Sequence, residues 1–259
     1  VEKVNVTMGY PIKNTLAYSL IEILVTLQTH CRAKDGATTF YHKDVAQLLS
    51  HPYITDICGD VAREKIKEIA TKRVIMVEDR LLNEAIKDKI SGTTAEIERA
   101  KSILSKLFVD AKAIELAQTD GEQECGWKKL AHYIVDVLNT ISALQDFNEF
   151  DSDNYNNEHR LLVANEITKL VNLIEACKIP LSTEIFVSLL RRHLQTISIP
   201  YEGKPLDGLQ ILGILETRNL DFKNVIILSM TAANFPGNHT SQASLIPYNL
   251  RFAYEMPTP

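Results

Sequence analysis

Residues 208–236 read GLQILGILETRNLDFKNVIILSMTAANFP, and the reading of this stretch decides the fold. Leu209, Ile211 and Leu212 lead in, and Val225-Ile226-Ile227-Leu228 is a near-continuous β-rich apolar run. Such a run suits a strand buried on both faces of a parallel sheet. Between the two lies the polar turn Glu216-Thr217-Arg218-Asn219-Leu220-Asp221-Phe222. α/β proteins place ligand groups at the carboxyl ends of strands, although an ordinary solvated loop would read the same way. The stretch predicts strand, polar turn, strand, loop.

The amino end complements it. Val4-Asn5-Val6-Thr7-Met8 alternates and reads as a short strand, broken by Gly9-Tyr10-Pro11. A helix follows with Leu16, Leu20, Ile23, Leu24 and Leu27 at helical spacing, capped by Asn14 or Thr15 or opened by Pro11. Residues 31–39 read as a loop and 40–54 as a short helix closed by Pro52. Residues 60–178 are almost wholly helical in pattern. Helices are expected near 61–70, 77–90, 94–108, 126–147 and 158–176, with a possible strand at Val74-Ile75-Met76-Val77 and a polar loop at 148–157. Ser182 or Thr183 caps a last helix over 184–197 that carries Arg191-Arg192-His193. Two β-rich ends thus flank a helical middle too long for a loop. The economical expectation is one α/β domain formed by residues 1–36 and 200–259, with 37–199 as a helical inserted subdomain. An all-α domain beside a separate small β unit is the other arrangement.

Composition sets bounds. The 259 residues are 45% hydrophobic and 24% charged, ordinary for a globular chain. A net charge of −5 argues against a chain-wide nucleic-acid footprint. No apolar run spans a bilayer, and the amino end VEKVNVTMGY has no signal-peptide pattern. The lack of an initiator Met and the ending Met256-Pro257-Thr258-Pro259 suggest a segment of a longer protein. Cys31, Cys58, Cys125 and Cys177 are scattered without a CxxC pair, so they read as reduced, mostly buried thiols and not as a zinc site.

No GxxxxGK[ST], GxSxG, HExxH or GxGxxG occurs, and no strand-borne nuclease carboxylate pair is evident. His42, His51, His132, His159, His193 and His239 read as surface or capping residues, and Trp127 as core. Arg191 and Arg192 suit phosphate, or simply a helix carboxyl end. The remaining candidate is the 216–221 turn with Tyr10.

Residues 209–228, followed by Asn234-Phe235-Pro236, resemble a block of AddB-type helicase–nuclease proteins, relatives of RecB, RecC and the UvrD-like superfamily-one helicases. The block corresponds to their fifth helicase motif, in the second RecA-like motor domain. Where UvrD-type enzymes carry His-x-x-Lys-Gly-Leu-Glu, this chain has Leu215, Arg218, Asn219, Leu220 and Asp221. Gly9-Tyr10-Pro11-Ile12-Lys13-Asn14-Thr15 lies where the family has Asn-Tyr-Arg-Ser. Tyr10 matches the tyrosine that stacks on adenine, and Pro11 replaces the arginine that reaches the phosphate. Residues 40–53 resemble the helix opening the inserted subdomain.

The resemblance implies a RecA-like parallel sheet, discontinuous in sequence, with a large all-α insertion. It implies a cytoplasmic parent that is an ATP-dependent DNA helicase and exonuclease, a hydrolase of double-strand break repair and recombination. Partners would be DNA, a first motor domain and a nuclease domain in the same parent chain, and an AddA/RecB-like helicase subunit. ATP and Mg²⁺ would be ligands of the parent, and no cofactor, metal or catalytic residue is assigned to this segment. Degenerate nucleotide-binding positions would be Tyr10, Glu216, Arg218 and Asp221, and DNA-binding positions Lys13, Thr217, Arg191 and Arg192. Phosphoryl transfer needs fixed positive charge at the γ-phosphate, which Pro11 does not supply, so the segment reads as a degenerate lobe or scaffold. A helical protein–protein interaction module with no DNA or nucleotide role is the alternative. A basic groove built from Lys13, Arg191, Arg192 and Arg218 would separate the two.

Overall fold

The computed structural model describes residues 4–6, 9–34, 37–83, 94–111, 126–144, 153–199, 208–217, 219–231 and 254. The chain divides into two compact units, Val1–Leu212 and Gly213–Pro259.

The first unit is built around helix α1, Leu16–His30. Thr15 starts it by accepting a hydrogen bond from the Tyr18 N–H, as a helix cap should. Ala17, Leu20, Ile21, Ile23, Leu24, Val25 and Leu27 are all buried, which is most of the helix circumference. A helix apolar nearly all round belongs in the centre of a body and not on the face of a sheet.

Around it lie α2 (His42–Leu49), α3 (Pro52–Cys58), α4 (Asp60–Lys72), α5 (Asp79–Asn83), α6 (Thr94–Leu107), α7 (Gly126–Leu144), α8 (Asp153–Cys177) and α9 (Thr183–Thr196). Helix α7 shows the pattern that holds them. Trp127, Leu130, Ala131, Ile134, Val137, Leu138 and Ile141 recur at three- and four-residue steps, are buried, and pack mainly on α8. Trp127 packs against Phe186 of α9 with ring centroids 5.3 Å apart and planes tilted by 33°.

Strands are short. β1 (Val4–Val6) pairs with β7 (Leu209–Ile211), β2 (Tyr10–Pro11) with β6 (Ser198–Ile199), and β3 (Arg32–Lys34), β4 (Ala37–Tyr41) and β5 (Met76–Glu78) form one sheet. β3-β4-β5 is antiparallel, with Phe40 opposite Val77. β2 pairs antiparallel with β6 (Ser198–Ile199). β1 pairs in parallel with β7 (Leu209–Ile211), Val6 opposite Ile211, and the Asn5 side-chain amide donates to Gln210 Oε1 at 2.7 Å.

The expected RecA-like parallel sheet is therefore corrected. The chain is mostly helical, and its one parallel pair among the described residues is three residues long. The strand expected at 225–228 is irregular and exposed: Val225 64%, Ile226 87%, Ile227 59% and Leu228 81%. A β-branched run records a preference for a packed, pleated environment. The preference becomes a strand only where neighbouring strands and covering helices exist, and none among the described residues covers this run.

Smaller expectations shift for equally local reasons. The 31–39 loop is the β3–β4 hairpin; Asp35 and Gly36 lie outside the described residues. Pro52 does not close a helix but opens α3 at its first position. Helix α8 begins at Asp153, inside the polar stretch read as a loop. Of the cysteines, Cys58 is buried, with its thiol pushed up to about 12 by desolvation, whereas Cys31 is half-buried and Cys177 exposed. The expectations at 84–90, Cys125, His239, 200–207 and Asn234-Phe235-Pro236 lie outside the described residues.

One polar side chain ties distant elements together. Gln28 of α1 donates to the Val109 carbonyl at 2.8 Å and accepts from the Ala111 N–H at 3.0 Å. Nearby, the Tyr133 hydroxyl donates to the Leu107 carbonyl at 2.6 Å. The end of α6 is thus satisfied by side chains from α1 and α7. Gln28→Leu leaves two buried backbone groups unpaired, and a loss of about 2 kcal/mol in urea unfolding is expected.

Candidate functional site

The candidate residues fall into two sets. Tyr10, Lys13, Arg191 and Arg192 belong to the first unit, and Glu216, Thr217 and Asp221 to the second. Arg218 lies outside the described residues.

In the first unit, Tyr10 is half-buried on β2. Its hydroxyl donates to the Asn14 carbonyl at 3.0 Å, and its ring stacks on His159 of α8, centroids 6.2 Å apart and planes 14° apart. One ring face is thus already covered. Burial lowers the His159 pKa from its ordinary value, which favours a neutral ring partner.

Arg191 is engaged more firmly. Its Nε donates to both Glu22 carboxylate oxygens at 3.0 Å, and its Nη2 to one of them at 2.7 Å. This fork geometry satisfies the guanidinium and raises the Arg191 pKa further. One turn on, Gln195 donates to the Tyr18 hydroxyl at 3.1 Å. The expected phosphate-binding arginine is a clamp between α9 and α1. Arg192 and Lys13 are exposed and make no ion pair among the described residues. Two exposed cations beside a neutralised third do not make the basic groove that tight DNA binding requires. Glu22→Gln releases the Arg191 charge. Because the pair is partly exposed, stability should change by less than about 1 kcal/mol. The salt slope of any weak duplex binding should steepen by about one charge, read by fluorescence anisotropy.

In the second unit, Ile214–Thr217 forms a 3-10 turn. Glu216 Oε2 accepts from the Gly213 N–H at 3.0 Å, so the carboxylate closes its own turn in the manner of a capping box. Asn219 holds a left-handed backbone at φ 60°, which asparagine tolerates better than most residues. Thr217 and Asp221 are exposed. The turn is organised locally.

Two histidine pairs were not anticipated. His30 Nδ1 lies 2.6 Å from Asp44 Oδ2 and joins the end of α1 to the start of α2. His51, buried, places Nε2 2.8 Å from Ser19 Oγ, the spacing of a nucleophile and its base. Its tautomer argues otherwise. The Tyr53 N–H donates to His51 Nδ1 at 3.3 Å, so the ring proton of the neutral imidazole sits on Nε2. That nitrogen donates to Ser19 and has no lone pair to take its proton. The Ser19 hydroxyl in turn donates to the Leu16 carbonyl at 3.1 Å. His51 is a helix cap, and desolvation lowers its pKa to about 4. The sequence signal was His51-Pro52 itself, a cap followed by proline at the first helical position.

Among the described residues no group of three His, Cys, Asp or Glu side chains could hold a metal ion. None of the described helices is long and apolar enough to cross a membrane. No family model matches the chain, and no curated protein or solved structure is significantly similar to it.

Proposed function

We propose that this chain is a non-catalytic scaffold from an AddB-like helicase–nuclease, and that the parent processes double-strand DNA ends in the cytoplasm. The family half of the proposal rests on residues 209–228 and Asn234-Phe235-Pro236, with Gly9-Tyr10-Pro11 and residues 40–53 in the same order. ATP, Mg²⁺, the motor and nuclease domains and an AddA/RecB-like subunit belong to the parent in this reading.

The scaffold half rests on one observation: three of the groups that would bind ligand are engaged within the fold. Arg191 is held by Glu22, Tyr10 is stacked on His159, and Glu216 caps its own turn. Side chains already satisfied in this way offer little to a nucleotide or phosphate.

The test is an in-frame deletion of this segment in the source organism. Sensitivity to agents that break both DNA strands is expected, with restoration by the wild-type gene and also by one carrying Tyr10→Ala. Unaltered survival would sink the family reading. Failure of Tyr10→Ala to restore survival, with the protein present at normal level, would sink the scaffold reading. An interaction module with no DNA role is the second reading. It is favoured by aliphatic side chains left exposed on α8 and α9, and it predicts that the deletion leaves survival unchanged.

A further inference from the structure

Helices α8 and α9 are joined by the short turn 178–182 and form an antiparallel hairpin. His193 Nε2 and Glu166 Oε2, 3.2 Å apart, fix one rung between them. Helical spacing carries that inner edge toward the turn, through Leu173 on α8 and through Leu189 and Ile185 on α9. The core-facing sides are different residues: Ile167, Val171 and Ile174 on α8, and Phe186, Leu190 and Leu194 on α9. The seam is therefore additional to the core. It leaves Leu173 62%, Ile179 53%, Ile185 52% and Leu189 39% exposed. Four large aliphatic residues along one seam are more than the scattered apolar surface of an ordinary monomer.

The charges beside the seam are not balanced. Glu166 is taken by Lys169 at 2.7 Å and by His193, and Glu175 by Lys128 at 3.1 Å. Lys178 in the turn and Arg192, one turn beyond Leu189, are exposed and make no ion pair among the described residues. The strip is aliphatic, with Lys178 and Arg192 toward its ends unpaired among the described residues, as is the exposed carboxylate Glu184 beside Ile185.

We propose that this seam docks an acidic amphipathic helix of a partner protein. A groove between two helices presents anchors at the spacing that an incoming helix reads with its own i, i+3/i+4 and i+7 side chains. Carboxylates flanking that apolar face would meet Lys178 and Arg192, which sets orientation and encounter rate. A second copy of this chain fits less well, because a two-fold pairing of the strip sets one copy's Lys178 against the other's Arg192. A lipid surface fits less well too, since the strip has no aromatic residue and no basic cluster. The inference stands whether or not the parent is AddB-like.

The experiment uses the full chain and a labelled 18-residue peptide with leucine at helical spacing and glutamate on its flanks. Its control is the same peptide with lysine for glutamate. Anisotropy should show saturable binding of the acidic peptide, with the lysine peptide at least about tenfold weaker. Leu173→Glu with Ile185→Glu, both at exposed positions and checked for an unchanged helical circular-dichroism spectrum, should weaken the acidic peptide by about tenfold or more. Arg192→Glu should weaken the acidic peptide and strengthen the lysine peptide. Equal binding of both peptides, or wild-type binding by the double variant, would overturn the proposal. So would a sedimenting dimer, or association with phosphatidylserine vesicles, that the double variant abolishes, since the seam would then belong to a second copy or to a membrane.

Discussion

Acidification from pH 7 to pH 4 should cost the fold about 3 kcal/mol through His51 alone. The side chain is 4% exposed, and both ring nitrogens are used: Nδ1 accepts from the Tyr53 N–H and Nε2 donates to Ser19. Burial removes the water that would stabilise the charged ring, and protonation would also turn Nδ1 into a donor facing another donor. The folded pKa therefore falls to about 4 from 6.5. Between those values the unfolded chain binds a proton that the folded chain does not, so stability is full above about pH 6.5 and falls as pH drops toward 4. Glu68 and Glu166, held low by lysine hydrogen bonds, add a loss that begins only near their usual value of 4.5. Urea unfolding at steps from pH 7 to pH 4.5 keeps those carboxylates out of the comparison, while His159, whose pKa burial also lowers, adds its own loss in the same window. His51→Asn keeps a capping side chain but removes one titration, and its slope above pH 5 should be clearly shallower than that of the wild type. Equal slopes for both proteins would show that His51 is not the titrating group.

Phe40→Ala should cost about 3–5 kcal/mol. Phe40 is completely buried on β4, opposite Val77 of β5, and its ring meets Phe108 edge-on at 5.6 Å. It joins the small sheet to the end of α6, and neither element can close over the void without moving the other. Phe40→Leu retains most of the volume and should lose less than half as much. Denaturant midpoints with unchanged slopes would establish this order; a Phe40→Ala loss below about 1 kcal/mol would show that the site collapses freely.

These two residues also show where sequence reading succeeds. Phe40 sits in Thr38-Thr39-Phe40-Tyr41, a β-rich run after Asp35-Gly36, so the hairpin signal was present but was read as a loop leading into a helix. The helices of the middle were legible because their apolar positions recur at three and four residues, as in Leu130, Ile134, Val137 and Leu138. The sheet was misjudged at Val225-Ile226-Ile227-Leu228, because residue type reports what environment a segment suits and not whether neighbours provide it. Helix α1 was read as one-sided from five leucines and isoleucines, yet Ala17, Ile21 and Val25 complete its circumference and make it a hub. The candidate site was legible only as residue types. That Glu22 lies against Arg191, or His159 against Tyr10, depends on pairings across well over a hundred residues, which local pattern does not encode.

The central claim is that this chain is a scaffold in which Arg191, Tyr10 and Glu216, which would bind ligand, are already engaged internally. Anisotropy of a labelled DNA duplex with a single-stranded tail tests it most directly, titrated with the full chain at physiological salt, with and without an ATP analogue and Mg²⁺. The account predicts binding no tighter than the non-specific range, weaker than about 10 µM, unaltered by nucleotide and by Tyr10→Ala. Saturable binding tighter than about 1 µM that depends on nucleotide or on Tyr10 would contradict it.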